Sequence, residues 1–440
     1  MYTKPSPHTQ QSLFFDLAGT LDGNHPLFVL AGRIGWGVFE DAFGKLYSPG
    51  FGRPCKPIRL MAGLLILKHL RNLSDESVVG QWEENCYYQH FCGNAQFVPA
   101  APCDASELVR FRDRIGEAGM ELILKESIRV NGEDGGEPDV VIDTTVQEKN
   151  ITFPTDPKLH RKIIAKCRKI AEAEGIEVRQ SYARTLKRLA LDQRFRGHPR
   201  NWKKARKADR KVKTIAGRLV RELGRKLPAG SHWNADLALF KRVLAQKRGD
   251  SKKVYSLHEP EVQCIAKGKE ARKYEFGNKV SIARTKTTGV IVGALSFRNP
   301  YDGDTLDAAL AQHERLTGAR AETVTGDRGY RGRKEVGGTR IQIPDSGRKG
   351  RSDRETRRLR RDFRCRAAIE PSIGHLKSDH RLGRNFLRGV AGDAVNVLLA
   401  AAAFNFRRFM NLWERRLSLF VRILLRYFTP PAACHHAYAA

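Results

Sequence analysis

The chain is short of acidic residues, of paired cysteines and of long apolar runs, and each shortage excludes a class of protein. Its 440 residues hold 48 Asp and Glu against 79 Lys and Arg, a formal net charge of +31. A surplus of that size leaves the fold open but predicts a polyanionic partner, nucleic acid first and an anionic membrane surface second. The membrane alternative is the weaker one. The apolar stretch Val395–Phe404 runs into Asn405 and Arg407, short of the roughly 18 apolar residues that a membrane span needs. The N-terminal MYTKPSPHTQQ has no apolar signal core, so the expected location is the cytoplasm, on the nucleoid, with no membrane partner. Eight cysteines are scattered without a CxxC pair, which argues against a zinc knuckle and for free thiols in a reducing compartment. No internal repeat is visible.

What is present divides into regions, as expected for a chain too long for one simple core. Residues 1–135 read as an all-α N-terminal domain. Arg59–Leu70 is an apolar helical run after Pro57; Ser74 is placed as a helix N-cap with Asp75 and Glu76 in the first turn. Asp104 and Glu107 have the spacing of a capping box. The break Asp134-Gly-Gly-Glu-Pro138 marks a boundary. Asp139–Val146 then reads as a buried strand, followed by a second extended piece at Asn150–Phe153. Residues 156–250 change character, with 28 Lys and Arg against 9 Asp and Glu. Apolar residues still recur there at helical spacing, so the segment reads as a basic helical insertion with a looser patch at Gly197–Arg200. Beyond it, Phe276–Ala283 and Val290–Phe297 form a hairpin about Thr287–Gly289. Asp304–Leu316 is helical, Glu322–Thr325 and Arg340–Ile343 are short strands, and Arg354–Asp379 is largely helical. Ala394–Trp413 and Leu417–Phe428 are two further helices, and residues 429–440 a frayed tail. The order strand, hairpin, helix, strand, strand, helix predicts an α/β, ribonuclease-H-like catalytic domain over 136–428, interrupted by the basic helical insertion.

Three acids stand at informative points in that order: Asp143 in VVIDTTVQ, Asp327 in VTGDRGYRG and Glu370 in FRCRAAIEPSIGHLK. The two aspartates are expected at adjacent strand ends, with the glutamate reaching them from a helix. Phosphodiester chemistry needs an activated oxygen nucleophile and charge stabilisation on both attacking and leaving oxygens; two Mg²⁺ ions do both, and Mn²⁺ can stand in for them. Such hard ions take carboxylate oxygens, so Asp143 is read as bridging both ions, Asp327 as completing one site and Glu370 the other. Each acid alone has a plainer reading: a turn former for Asp143 and Asp327, a solvated ion pair for Glu370. On one continuous helix, at about 100° per residue, Phe363, Arg366, Glu370 and Lys377 share a face within about 60°. Arg366 and Lys377 then flank Glu370 as phosphate-gripping cations. Pro371 resists this, because the helix must either kink there or restart with Pro371 as its first residue; in the second case Arg366 need not share the face.

The third station resembles the Y-x2-R-x3-E-x6-K signature of bacterial insertion-sequence transposases. Here it reads Phe363-x2-Arg366-x3-Glu370-x6-Lys377, with Phe in the first place. IDTT and GDRGY resemble that family's strand-borne aspartates. The block from Arg53-Pro-Cys-Lys-Pro57 to Phe91-Cys-Gly93, with LSDESVV inside it, and the segments VYSLHEPEVQCIAKGK and YEFGNKVSIA are similar to the insertion-sequence-five family of DDE transposases. The resemblance spans roughly Gly35 to Trp413. It implies a ribonuclease-H-like domain with a DDE triad and Mg²⁺, recognition of terminal inverted repeats, cut-and-paste or related mobility, and action as a homo-oligomer on double-stranded DNA, both element ends and target.

The basic insertion and the helix before Glu370 are the expected phosphate-contacting surfaces. Trp202, among Arg200, Lys203, Lys204 and Arg206, is either a base-stacking residue or a tryptophan packed under the insertion. Arg110, Arg112 and Arg114 either meet a DNA groove or form a solvated helix face. Tyr330 packs beside the site or caps a turn, and His258 is expected in a loop. Two other functions stay open at this point: a non-catalytic or domesticated DNA-binding relative, and a metal nuclease without end joining.

Overall fold

The computed structural model describes residues 16–48, 52–247, 249–266, 273–343 and 352–428; the expected tail at 429–440 lies outside them. The chain divides into two compact units, Met1–Gln147 with Lys279–Ala440, and Glu148–Asn278. The boundary expected near residue 135 falls inside the first unit.

In the first unit the N-terminal helices are α1 (Leu17–Thr20), α2 (Pro26–Arg33), α3 (Trp36–Gly44), α4 (Ile58–Leu70), α5 (Asp75–Glu84), α6 (Cys86–Phe91) and α7 (Ala105–Val130). Every residue of α4 except Arg59 is buried, so this helix, apolar on all sides, is the centre of the layer rather than an amphipathic cover. Ser74 Oγ accepts the Ser77 N–H at 3.0 Å and starts α5. Asp104 and Glu107 close the capping box of α7 from both sides. Gly116, at φ 59° and ψ −161°, breaks the helical backbone inside α7.

The sheet strands are β1 (Asp139–Lys149), β2 (Gln263–Ala266), β3 (Tyr274–Thr285), β4 (Ile291–Phe297), β5 (Thr323–Thr325), β6 (Glu335–Val336), β7 (Thr339–Gln342) and β8 (Arg384–Asn385). Their order is β2-β3-β1-β5-β7-β6, with β4 on β3 and β8 on β1. β3 and β4 are the expected antiparallel hairpin. β5 runs parallel to both β1 and β7, which makes the sheet mixed. The short β6, paired antiparallel to β7, was not legible in the sequence. Asn150–Phe153, expected as an extended strand, joins no ladder, and β1 simply continues to Lys149.

Helix α15 (Gly389–Phe428) is one continuous element where the sequence predicts two. Its stretch Gly389–Phe420 is long and apolar enough to cross a membrane, which the shorter apolar run had not indicated, yet 72% of its most apolar window is buried inside the protein. It packs on α7, α4, α2 and β4, as the central helix of a folded core does. Asn405, the polar break in its apolar run, closes the end of β4. It accepts the Ile291 N–H at 2.8 Å and donates to the Ile291 carbonyl at 2.9 Å. One hydrophobic core joins α4, α7, the sheet and α15.

The second unit carries α8 (Asp156–Ala173), α9 (Ala183–Asp192), α10 (Trp202–Lys226) and α11 (Asn234–Ala245). They share their own core, built on Ile163, Cys167, Val212, Leu219 and Phe240. β2 pairs antiparallel with Tyr274–Gly277 of β3. Lys149 and Glu259 form a buried ion pair at 3.4 Å.

Candidate active site

The parallel pairing of β1 with β5 ends at Val141 opposite Thr325. Asp143 and Asp327 each follow two residues later. Two parallel strands in register therefore carry their aspartates to the same level. This differs from the expected pair of strand ends: β1 runs on past Asp143, and it is only the ladder with β5 that stops. The Thr144 N–H donates to Asp143 Oδ1 at 2.8 Å, which fixes one oxygen. Asp327 caps the short 3₁₀ turn Arg328–Tyr330 by accepting the Gly329 N–H at 2.8 Å.

Gly329 is where an added side chain would crowd the acids. A Cβ there would stand 2.5 Å from Asp302 Oδ2 and 2.9 Å from Asp327 Oδ1. That close approach reveals a fourth carboxylate, Asp302. Its Oδ1 accepts the Thr144 hydroxyl at 2.9 Å and pairs with Lys279 Nζ at 2.9 Å. Asp302 thus ties β3 to the residue that follows Asp143. Sequence reasoning missed it, because an aspartate in the turn Pro300-Tyr301-Asp302-Gly303 looks like any turn former.

Tyr330 packs beside the acids and is fully buried. Thr305 spends its hydroxyl on the Asp302 carbonyl, at 2.7 Å, and the buried Tyr330 hydroxyl completes no hydrogen bond. Burial first, then the charges of Asp143, Asp302 and Asp327, holds its proton far more tightly than an ordinary phenol does. It is a neutral wall of the site and not a base.

The third acid arrives from a helix junction. α13 (Asp353–Ala367) ends, Ala368 intervenes, and α14 (Ile369–Asp379) begins. Pro371 is the third residue of α14, where the backbone lacks an intrahelical acceptor in any case, so its missing N–H costs nothing there. The helix restarts, but at Ile369 and not at Pro371. Arg284 of β3 pins the junction by donating to the Ala368 carbonyl and, at 2.9 Å, to Ser372 Oγ. Gly289, at φ +80°, leaves room for that guanidinium; a Cβ would stand 2.6 Å from it.

Arg366 is one of two cations in the last turn of α13, and despite the break it still meets Glu370. One guanidinium nitrogen lies 3.8 Å from Glu370 Oε1 and 3.8 Å from Asp143 Oδ2. Glu370 itself is 68% exposed. Phe363 is half-buried on α13. Lys377 is half-buried, seven residues beyond Glu370 on α14, which puts both on one face at about 100° per residue.

Asp143 feels all of these neighbours. Burial foremost, then repulsion from Asp327 and Glu370, pushes its carboxyl up to about 6 against the opposing pull of the Thr144 N–H and Arg366. A buried carboxylate facing two others is a site that favours an added cation. Among the described residues, no group of three or more His, Cys, Asp or Glu side chains stands close enough to hold a metal ion as placed. Glu370, at 68% exposure, is far more open to solvent than Asp143, at 15%.

The DNA-binding residues expected from the sequence divide. Arg112 is 5% exposed and is bound to Asp75 at 3.2 Å, beside the Lys68–Asp75 pair at 2.7 Å. It is a core ion pair, unavailable to a groove. Arg110 and Arg114 are exposed, and Arg114 stacks on Tyr47 with its guanidinium 4.2 Å from the ring centre. They line one cleft with Arg53 and Lys56. Trp202 is not packed away; it is 45% exposed at the start of α10. His258 lies in a loop, with Nδ1 2.9 Å from Ser256 Oγ.

Asp143 and Asp327 at one level on neighbouring strands, in a chain with a formal net charge of +31, suit work on a polyanion. Residues 15–114 match the family described as Transposase domain (DUF772), and residues 248–406 match Transposase DDE domain. A protein from Rhizobium meliloti, "Uncharacterized protein ORF8 in nfe locus", is 43% identical over 199 residues, which are 44% of this chain and 96% of that protein. The chain belongs to the DDE transposases. Its class therefore acts on DNA. Asp143 lies outside both matched stretches, and it is the β1–β5 register that brings it to Asp327. No solved structure matches the chain.

Proposed function

We propose that the chain is an insertion-sequence transposase that binds the terminal inverted repeats of a mobile element, cleaves DNA there and joins the freed end to a target. The observation that carries this reading is the level pairing of Asp143 and Asp327 two residues beyond the last β1–β5 rung. Arg366 links Asp143 to Glu370 at that point. The order β4-β3-β1-β5-β7, with a hairpin on one side and parallel strands on the other, supports a ribonuclease-H-like catalytic domain. The helices of the second unit support the basic insertion between Asp143 and Asp327. The likeness to the insertion-sequence-five family rests on the motifs quoted from the sequence.

The donor set fits hard divalent ions, because it offers only carboxylate oxygens and because burial and mutual repulsion already strain Asp143 toward protonation. Asp143, Asp327 and Glu370 would hold them. When bound, Mg²⁺ supplies an activated oxygen nucleophile and charge stabilisation at the scissile phosphate. The chain's own residues do the rest. Thr144 and Gly329 orient the two aspartates, Tyr330 closes the buried side, and Arg366 and Lys377 present positive charge to phosphate. A homo-oligomer on double-stranded DNA, acting at the nucleoid, follows from the need to bring two element ends together.

The test is cleavage of element-end DNA by Asp143→Asn and Glu370→Gln. Both should bind as wild type and fail to cut; unchanged cutting removes the triad. A strand-transfer assay with a pre-cleaved 3′-hydroxyl end separates a transposase from a nuclease, since a nuclease leaves only nicks.

A further inference from the structure

In the second unit α9 packs on α10, and the loop 193–201 joins them into a helical hairpin. Between the two helices runs a groove of about 530 Å³ whose charged lining is Arg188 from α9 and Lys207, Arg210, Lys211 and Arg218 from α10. Lys207, Lys211, Thr214 and Arg218 follow a helical period and form one stripe on α10. Val212, Ile215 and Leu219 of α10 are in the core, and Ile215 also lines the floor of the groove.

A basic stripe often serves only to keep a helix face in water. Two observations speak against that here. First, the stripe is concave: Arg188 faces it from the neighbouring helix, so like charges converge, and among the described residues no carboxylate pairs with them. The adjacent carboxylates are committed elsewhere: Asp209 to Arg196 at 3.0 Å, Asp192 to Lys204 at 3.0 Å, and Glu222 to Lys226 at 3.1 Å. No carboxylate lines the groove. Second, the turn of the hairpin presents two aromatic side chains to solvent, one in the loop and one at the first residue of α10. Phe195 is 79% exposed and Trp202 45%. Phe195 also holds a left-handed backbone, φ 52°, which a bulky residue rarely adopts. Three backbone hydrogen bonds shape the loop, from His198, Asn201 and Trp202 N–H groups to the carbonyls of Phe195, His198 and His198. Exposure and strain at one aromatic are not explained by packing.

We propose that the α9–α10 hairpin grips DNA that has a single-stranded or frayed end. The five cations hold backbone phosphates, and Phe195 and Trp202 stack on unpaired bases at the turn. Positive grooves combined with exposed rings suit single strands, because each base offers a π-face and each phosphate a charge. The inference rests on the reading of the chain as a DNA-processing enzyme, and it names which surface meets which part of the DNA.

The experiment titrates the full chain against two labelled probes, a fully paired duplex and the same duplex with a single-stranded end. Wild type should prefer the second. Lys207→Ala with Lys211→Ala should weaken both about tenfold and flatten the salt dependence by about two counterions. Phe195→Ala with Trp202→Ala should remove the preference, while Trp202→Phe keeps most of it. Unchanged affinity and salt slope in the lysine variant would overturn the groove. Equal weakening on both probes in the aromatic variant would overturn the stacking. Competition by polyglutamate as strong as that of an oligonucleotide of equal charge would mean an acidic-protein surface and also overturn the proposal. Asp143→Asn, carried through the same titration, should bind as wild type. Its cutting assay is scored separately, so the transposase reading and this one can fail independently.

Discussion

The Arg366 guanidinium stands 3.8 Å from Asp143 Oδ2 and, across a helix break, equally far from Glu370. It occupies the position of a cation between two acids that would otherwise repel. Removing it leaves only the Thr144 N–H to oppose burial and repulsion at Asp143. Arg366→Ala should therefore move the acid limb of the DNA-cleavage pH profile upward, above the value near 6 to which Asp143 is pushed. Arg366→Lys should restore part of the shift. A profile that keeps its acid limb in both variants refutes the electrostatic link.

Asp143 also makes a stability prediction. Its folded carboxyl is pushed up to about 6 from an ordinary 3.8, chiefly by burial. A raised acid pKa favours the protonated form in the folded state. Its contribution is fully present below about 3.8 and is lost as pH rises through about 6. Asp143→Asn, a neutral mimic that keeps an oxygen for the Thr144 N–H, should raise the Tm of the metal-free protein near neutral pH. A rise from 3.8 to about 6 corresponds to about 3 kcal/mol. The gain should vanish below the ordinary carboxylate range. Mg²⁺ should raise the wild-type Tm and leave the variant unmoved. Thermal melts across pH decide it, and an equal gain at all pH values would mean a packing effect.

How much of this was readable from the sequence depends on how local the cause is. The capping box Asp104–Glu107, the Ser74 cap and the β3–β4 hairpin are set by neighbours a few residues away, and their residue types announce them. The level of Asp143 against Asp327 was legible in outline, because β-branched runs precede both. Its detail was not, since where the β1–β5 ladder stops depends on β5 being only three residues long. Asp302 was invisible, because its partners Thr144 and Lys279 are distant in sequence. Arg112 was misread for the same reason: the anion that buries it, Asp75, belongs to another helix.

Asp302 should matter for chemistry without being a ligand. It links Lys279 to Thr144, whose N–H orients Asp143. Groups that orient a metal-site residue typically contribute 10–100-fold, roughly, to affinity or activity. Asp302→Asn should lower the cleavage rate by about that factor while DNA binding stays as in wild type. The Mg²⁺ concentration for half-maximal rate should rise in parallel. Full activity at ordinary Mg²⁺ would reduce Asp302 to a turn former.

Pro371 gives a test of the helix break. In an unbroken helix a mid-helix proline costs about 3 kcal/mol, and Pro371→Ala would stabilise the protein by a comparable amount. In the first turn of α14 the ring displaces no hydrogen bond and only restricts the unfolded chain. Pro371→Ala should then leave stability unchanged or lower it by up to about 1 kcal/mol. A clear rise in urea midpoint at constant m would contradict a helix that restarts at Ile369.

Arg112 separates a structural cation from the two proposed to meet DNA. Its guanidinium and Lys68 share the Asp75 carboxylate in a buried cluster, and burial together with Arg112 lowers the Lys68 pKa to about 8 against the pull of Asp75. Removing one member of a buried pair costs about 3–5 kcal/mol when the other is left unmatched. Here Lys68 remains to neutralise Asp75, so Arg112→Ala should cost less, about 2 kcal/mol, and should lose no salt-dependent DNA affinity. Arg110→Ala with Arg114→Ala, both exposed on the same helix, should do the reverse. Stability should hold, while the slope of log affinity against log salt falls by nearly two. Urea melts and salt titrations on the two variants read both quantities. If Arg112→Ala flattens the salt slope as much as the exposed pair does, the buried assignment is wrong.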